Sequence, residues 1–288
     1  MIALTPRRVA GALRDACRLD VIAFKPGNVS LDAPGHEMSA CDFLKSAAVA
    51  VDALAAPAGG LGERVLAAIA ATRAAVGCNT NLGIVLLTAP LALAALHPSA
   101  ERNLRARLAA LLGTTSVEDA RLVYRAIRLA APAGLGASED QDVRDEPTEN
   151  LTRVMEIAAP RDSVARQYAT VFDAVFERGL PILRTARERW GSMAWAAVAC
   201  FVGFAAEIPD SHIVRKYGEA RAAALITRFR EVESAMKACE NPADLLPALV
   251  ALDGELKLGG VNPGTSADLT VASLAALFLE TALQAEQS

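Results

Sequence analysis

At 288 residues the chain is long enough to bury a sizeable core, in one large domain or two small ones. An apolar content of 53%, dominated by Ala and Leu with only 5% aromatics, points to closely packed helices, and a net charge of −4 without a basic run leaves no electrostatic footprint for nucleic acid. The five cysteines are odd in number, scattered and without a CxxC pair, which speaks against disulfides or zinc and for a reducing, cytoplasmic setting.

Apolar positions recur at helical spacing almost throughout, and no alternating strand is visible. A first helix spans Pro6–Ala23, with Val9, Leu13, Cys17 and Val21 on one face, and ends at Lys25-Pro26-Gly27, where Pro and Gly forbid continuation. The polar loop Lys25–Met38 leads to a helix over Ser39–Ala55, and after the connector AAPAGGLG another covers Glu63–Val76. CNTNLG breaks the pattern before an apolar helix over Leu82–Leu96, whose start Thr80 or Asn81 can cap. Ser116 to Asp119 approximates a capping box and opens a helix to Ala130. The polar run Ala131–Asn150 is too long for a plain connector, which marks it as a functional loop or lid.

Helices follow at Leu151–Ala158, Asp162–Arg178, Pro181–Arg189 and Ser192–Ala206. Then come the polar break IPDSHIVRKYG, a charged helix to Ala238, a short helix from Asn241, the turn GGVNPG and a last helix to Gln284. Leu82–Leu96 and Met193–Ala206 are shorter than the roughly 18 to 20 residues a membrane span requires, and the N-terminus lacks a signal peptide's long apolar core. The expectation is one compact all-α domain over 1–288, of a dozen or so helices, with no membrane partner.

Chemistry has few places to reside in such a chain. The unusual polar residues collect at four helix junctions: KPGNVS, CNTNLG, DSHIVRK and NPGTSAD. Unpaired N–H groups at helix starts favour anions, and carboxylates nearby can hold cations. Taken singly, Asn79 and Asn81 read as caps, Asp210 as the cap of the next helix, Lys25 as a surface lysine and Asp268 as a cap or a metal ligand. Four such breaks together point to one site. His212 follows Asp210 and precedes Arg215 and Lys216, a setting suited to phosphate, while His97 sits at a helix end as a surface residue. No HExxH, G-x-S-x-G, GxxxxGK or GxGxxG pattern is present, which disfavours metalloproteases, α/β-hydrolases, P-loop kinases and nicotinamide dehydrogenases.

KPGNVS, the His36–Met38 loop with Phe43 and Ser46, CNTNLG, DSHIVRKYG and NPGTSADL resemble, in this order, the motifs of triphosphoribosyl-dephospho-CoA synthases. The resemblance runs from about Lys25 to Leu279, and Pro-Gly-x-Ser-Ala-Asp-Leu is its most specific part. It implies an all-α transferase that joins ribose C1 of ATP to the 2′-hydroxyl of 3′-dephospho-CoA, expelling adenine and keeping the triphosphate. By resemblance, Mg²⁺ would be held by Asp210 and Asp268, which could instead stabilise the ribosyl cation. Lys25, Arg215 and Lys216 would face phosphates, and Glu37 or His36 would serve as base. Asn28, Asn79, Asn81, His212, Asn262, Gly264 and Ser266 would orient ribose or phosphate oxygens.

Two segments depart from the family pattern. GLGASEDQDVRDEPTENL replaces a Gly-Ala-Arg-Gly-Glu-Ala-like stretch, and His36-Glu37-Met38 is compressed relative to His-x-Asp-Met. MEIAAPRDSVARQYATVFD is similar to a divergent branch found in tetrahydromethanopterin-making organisms, so a ribitol-bearing pterin-pathway intermediate is an alternative acceptor. An ADP-ribosylglycohydrolase-like hydrolase and a non-catalytic nucleotide-binding helical protein are the competing readings. A homodimer is compatible with the sequence.

Overall fold

The computed structural model describes residues 1–31, 33–35, 37–132, 138 and 140–286. Among them are fourteen α-helices, and the only β pairing is three isolated bridges. In chain order the helices are α1 (Pro6–Ile22), α2 (Ala40–Leu54), α3 (Leu61–Val76), α4 (Leu82–Leu96), α5 (Leu104–Leu112), α6 (Val117–Ala130) and α7 (Leu151–Ala158). They continue as α8 (Ser163–Ala169), α9 (Leu180–Trp190), α10 (Met193–Ala205), α11 (Ser211–Tyr217), α12 (Glu219–Ala238), α13 (Leu246–Leu258) and α14 (Gly264–Ala285).

The last helix is the centre of the bundle. α14 packs against α1, α4, α9 and α10, and its Val271, Ala272, Leu274, Ala275 and Ala276 are fully buried. The small residues let neighbouring backbones approach closely, which suits a chain poor in aromatics. α14 is also long and apolar enough to cross a membrane, a feature the shorter runs drew attention away from; 72% of its most apolar window is buried inside the bundle, as in a core helix.

α4 is buried along nearly its whole length and carries Pro90 in its interior. Proline has no N–H, so the carbonyl four residues earlier, that of Leu86, loses its helical donor. The Tyr168 hydroxyl, itself fully buried, supplies the replacement at 2.6 Å and thereby ties α8 to α4.

Local chemistry explains most boundaries. Thr5 caps α1 by accepting from the Arg8 N–H, with Pro6 in the first turn. The capping box at Ser116 and Asp119 is formed in both directions. At α4 Asn81 holds the N-cap position, but the side-chain acceptor is Asn79, whose Oδ1 accepts from the Leu82 N–H at 3.1 Å, because Thr80 is turned toward Ser46 and Asn81 toward Thr72.

Three expectations need correction. α5 and most of α13 were hidden in the sequence by short length and weak periodicity. The break at IPDSHIVRKYG contains α11, because Asp210 Oδ1 accepts from the His212 and Ile213 N–H groups and starts a turn of helix there. The helix expected over Asp162–Arg178 is broken after α8, where Val171 and Phe172 adopt φ of 51° and 57°. Thr170 and Asp173 bond each other at 2.8 Å and compete with the helix; a π-helical stretch, Ala174–Gly179, then runs directly into α9.

Candidate active site

The four polar junctions meet. Gly27, with φ of 81°, donates its N–H to Asp253 Oδ1 at 2.8 Å, and Asn28 Nδ2 donates to Asn262 Oδ1 at 2.9 Å. A Cβ on Gly27 would lie 2.9 Å from the Pro263 ring, so only glycine lets the KPGN loop sit against the NPG turn. On the other side of that turn, His212 Nδ1 lies 3.2 Å from the Asn262 carbonyl oxygen. A carbonyl cannot donate, so this contact requires Nδ1–H and leaves Nε2 unprotonated in the neutral ring. Ser211 and Thr265 hydroxyls, 3.2 Å apart, join α11 to α14.

These junctions enclose a polar cavity of about 150 Å³ on whose wall lie Asp20, Asn28, Asn79, Asn81, His212, Asn262, Gly264 and Asp268. A second cavity of about 480 Å³ adjoins it, with mostly apolar walls plus Tyr124, Arg161, Asp162 and Arg215. Asn79, Leu82, Gly83, His212, Gly264 and Asp268 line both. His212 and Asp268 are the titratable side chains on that shared wall.

Asp268 stands where the starts of α4 and α14 touch. A Cβ on Gly83 would fall 2.0 Å from its Oδ2, so the carboxylate lies directly on the α4 backbone. It accepts no hydrogen bond from any described residue. Burial raises its pKa well above the usual carboxylate range, repulsion from Asp20, Asp210 and Asp162 adds to this, and Arg215 opposes it.

Several predicted site residues occupy other roles. Asp210 is buried with both oxygens engaged: Oδ1 caps α11, and Oδ2 accepts from the Ser266 N–H at 2.9 Å and its hydroxyl at 3.1 Å. Burial raises its pKa, against the pull of those hydrogen bonds and of His212. Its oxygens therefore hold the α11 and α14 starts together, and Ser266 is spent on the same contact. Lys25 lines neither cavity; its side chain is fully buried, 2.9 Å from Asp20 Oδ1, and also donates to the Asp20 carbonyl. The Pro26-Gly27 turn folds it inward, where it fixes Asp20 on the wall.

Arg215 reaches the larger cavity while paired with Asp162 at 2.6 Å. Lys216 is exposed, lies over the Tyr217 ring and lines neither cavity. Glu37 is exposed at φ of 62° and also lies off both walls, and His36 falls outside the described residues. Of the loop expected as a lid, residues 133–137 and 139 lie outside the described residues. The rest is pinned: Asp142 accepts from Ser138 and Arg144, and the Tyr124 hydroxyl donates to the Gln141 carbonyl. The Arg144 guanidinium and these N–H groups hold the Asp142 carboxyl well below the usual range.

Sequence reasoning missed Asp20, Arg161 and Asp162. Asp20 sits inside an amphipathic helix pattern, where a charge reads as the solvent face; its partner five residues on, Lys25, was the available signal.

The chain is similar to known proteins over most of its length. The family model CitG, described as ATP:dephospho-CoA triphosphoribosyl transferase, matches residues 6–287. A crystal structure from Archaeoglobus fulgidus, whose description gives triphosphoribosyl-dephospho-CoA synthase as a provisional assignment, superposes with a TM-score of 0.61. It is 25% identical, over 82% of this chain and 97% of that one. No curated protein matches.

Proposed function

This chain belongs to the ATP:dephospho-CoA triphosphoribosyl transferase family, and from that premise we propose that it transfers the triphosphoribosyl group of ATP to a hydroxyl of 3′-dephospho-CoA. The bond from ribose C1 to adenine breaks, and a bond from C1 to the acceptor oxygen forms. The triphosphate stays on the sugar, and the hydroxyl proton is balanced by the one adenine takes up on leaving. The observation that carries this reading is the shared wall. Two cavities of different polarity meet at Asp268 and His212, as a reaction joining two large substrates requires.

In this reading the polar cavity receives the ribose and phosphates of ATP, and the larger one receives the acceptor, with Arg161 and Arg215 available to its phosphates. Positive charge grows at C1 as the glycosidic bond lengthens. Asp268, crowded by three other carboxyl groups, lies in a negative potential that favours such charge. His212, held by the Asn262 carbonyl with Nε2 unprotonated, replaces Glu37 and His36 as the candidate base for the acceptor hydroxyl. A Mg²⁺ ion, when bound, would neutralise triphosphate charge. Of the two carboxylates assigned to it from the sequence, Asp268 is open to the cavity and Asp210 is not.

The test is adenine release from ATP and Mg²⁺, followed by chromatography with and without dephospho-CoA. Release that depends on dephospho-CoA is expected. Release indifferent to any acceptor would make the protein a hydrolase, and nucleotide binding without release would make it a binding protein. Release supported by a ribitol-bearing pterin intermediate and not by dephospho-CoA would transfer the reading to that acceptor.

A further inference from the structure

The polar cavity has a one-sided chemistry. Asn28, 4% exposed, spends its Nδ2 on Asn262 and leaves Oδ1 buried with no partner. Asn81, 6% exposed, spends its Nδ2 on Thr72 Oγ1 at 3.1 Å and leaves its own Oδ1 in the same condition. Each amide is engaged through its nitrogen, which leaves its oxygen as the orphan. Two carboxylates share the wall. Asp20 Oδ1 faces Lys25 as an ion pair at 2.9 Å yet accepts no hydrogen bond, and Asp268 accepts none from any described residue. Buried acceptors are almost always satisfied, so acceptors left open by four residues at one cavity call for a ligand that supplies positive charge or protons.

We infer that Asp20, Asn28, Asn81 and Asp268 form a binding site for a hard divalent cation, whose remaining positions are filled by the phosphates of a bound triphosphate and by water. Carboxylate and amide oxygens are the donor set such a cation prefers, and two carboxylates with substrate phosphates are a usual complement for Mg²⁺. Among the described residues no three His, Cys, Asp or Glu side chains gather closely enough to hold a metal unaided, so the site as inferred needs the amide oxygens and the triphosphate. The assignment replaces Asp210, whose oxygens are occupied by backbone and hydroxyl donors, with Asp20. The phosphate part rests on the transferase reading; the protein ligands do not.

Mn²⁺ with inorganic triphosphate is the probe, since it contains no adenine and cannot turn over. Binding to the full-length protein is read from the electron paramagnetic resonance signal of free Mn²⁺. Asp20→Asn and Asn81→Ala should each weaken Mn²⁺ at least ~10-fold, with circular dichroism confirming the fold. Asn81→Asp, which keeps the oxygen and adds charge, should tighten it, a gain that misfolding cannot mimic. Mn²⁺ affinity unchanged in all three variants overturns the inference, as does weakened adenosine binding with Mn²⁺ unaffected, which would assign these oxygens to sugar hydroxyls. If adenine is never released but Mn²⁺ behaves as stated, the transferase reading fails and the cation site stands.

Discussion

Replacing Gly83 by alanine separates the site from the fold. The new Cβ would lie 2.0 Å from Asp268 Oδ2 and 2.6 Å from its Cγ, whereas ordinary contact begins near 3.4 Å. The carboxylate must therefore retreat by about 1.4 Å, the difference of those two oxygen distances. Crowding a packed site costs about 1–3 kcal/mol, and alanine regains up to about 1 kcal/mol of helix propensity over glycine. The melting temperature should fall by no more than several degrees. Activity should fall about 100-fold or more, because an error of about 1 Å in a reacting group has that effect.

Two comparison variants sharpen the result. Gly254→Ala, in open space on α13, should be neutral or stabilising with full activity. Gly179→Ala meets Ser273 Oγ at 2.0 Å inside the bundle, and should lower the melting temperature while the folded fraction keeps its turnover. The assay is adenine release per folded molecule beside a thermal melt. Full activity in Gly83→Ala, or a loss matching only its unfolded fraction, would refute the placement of Asp268 at the reaction centre.

Further outcomes follow from the same structure. Tyr168→Phe strands the Leu86 carbonyl inside α4 and should cost about 1–3 kcal/mol in a denaturant titration; no change would mean the Pro90 gap is filled otherwise. Lys25→Met leaves Asp20 as an unpaired buried charge and should destabilise by about 3–5 kcal/mol, measured the same way. Because burial and like charges raise the Asp268 pKa in the folded state, its ionisation opposes folding increasingly as pH rises above the unfolded carboxylate value of about 3.9. Asp268→Asn should therefore melt higher than the parent at neutral pH, with the gap closing on acidification through that value. A gap independent of pH would contradict the assignment. Burial pushes the Cys200 thiol up to about 12, whereas Cys41 is exposed, so a thiol reagent at pH 8 should label Cys41 in native protein and Cys200 only after unfolding, as read by mass spectrometry.

Much of this was legible in the sequence, for physical reasons. Helical periodicity and Pro-Gly punctuation mark real boundaries, so α1, α2, α4, α7 and α10 fall within a residue or two of expectation. The junction motifs were visible because a greasy chain can place polar groups in few other places. The sequence could not tell which polar atoms remain free after folding. Asp210 and Ser266 satisfy each other, and Lys25 is spent as the ion-pair partner of Asp20, so three residues that read as ligands are consumed in building the wall. Asn28 and Asn81 remain half unsatisfied. The bend after α8 was equally hidden, because it turns on the Thr170–Asp173 contact and on two non-glycine residues, Val171 and Phe172, at positive φ, where the apolar spacing still reads as helix.

The position of α14 has a consequence for biosynthesis. This helix follows in sequence every element it packs against, and it delivers Asp268 as well as the centre of the core. While the polypeptide emerges from the ribosome, α1, α4, α9 and α10 lack the helix they pack around and leave a greasy trough for the missing strut. The pocket lacks Asp268 until α14 is made, so products truncated before this helix should be recognised by chaperones and proteases and should not accumulate as partly active enzyme.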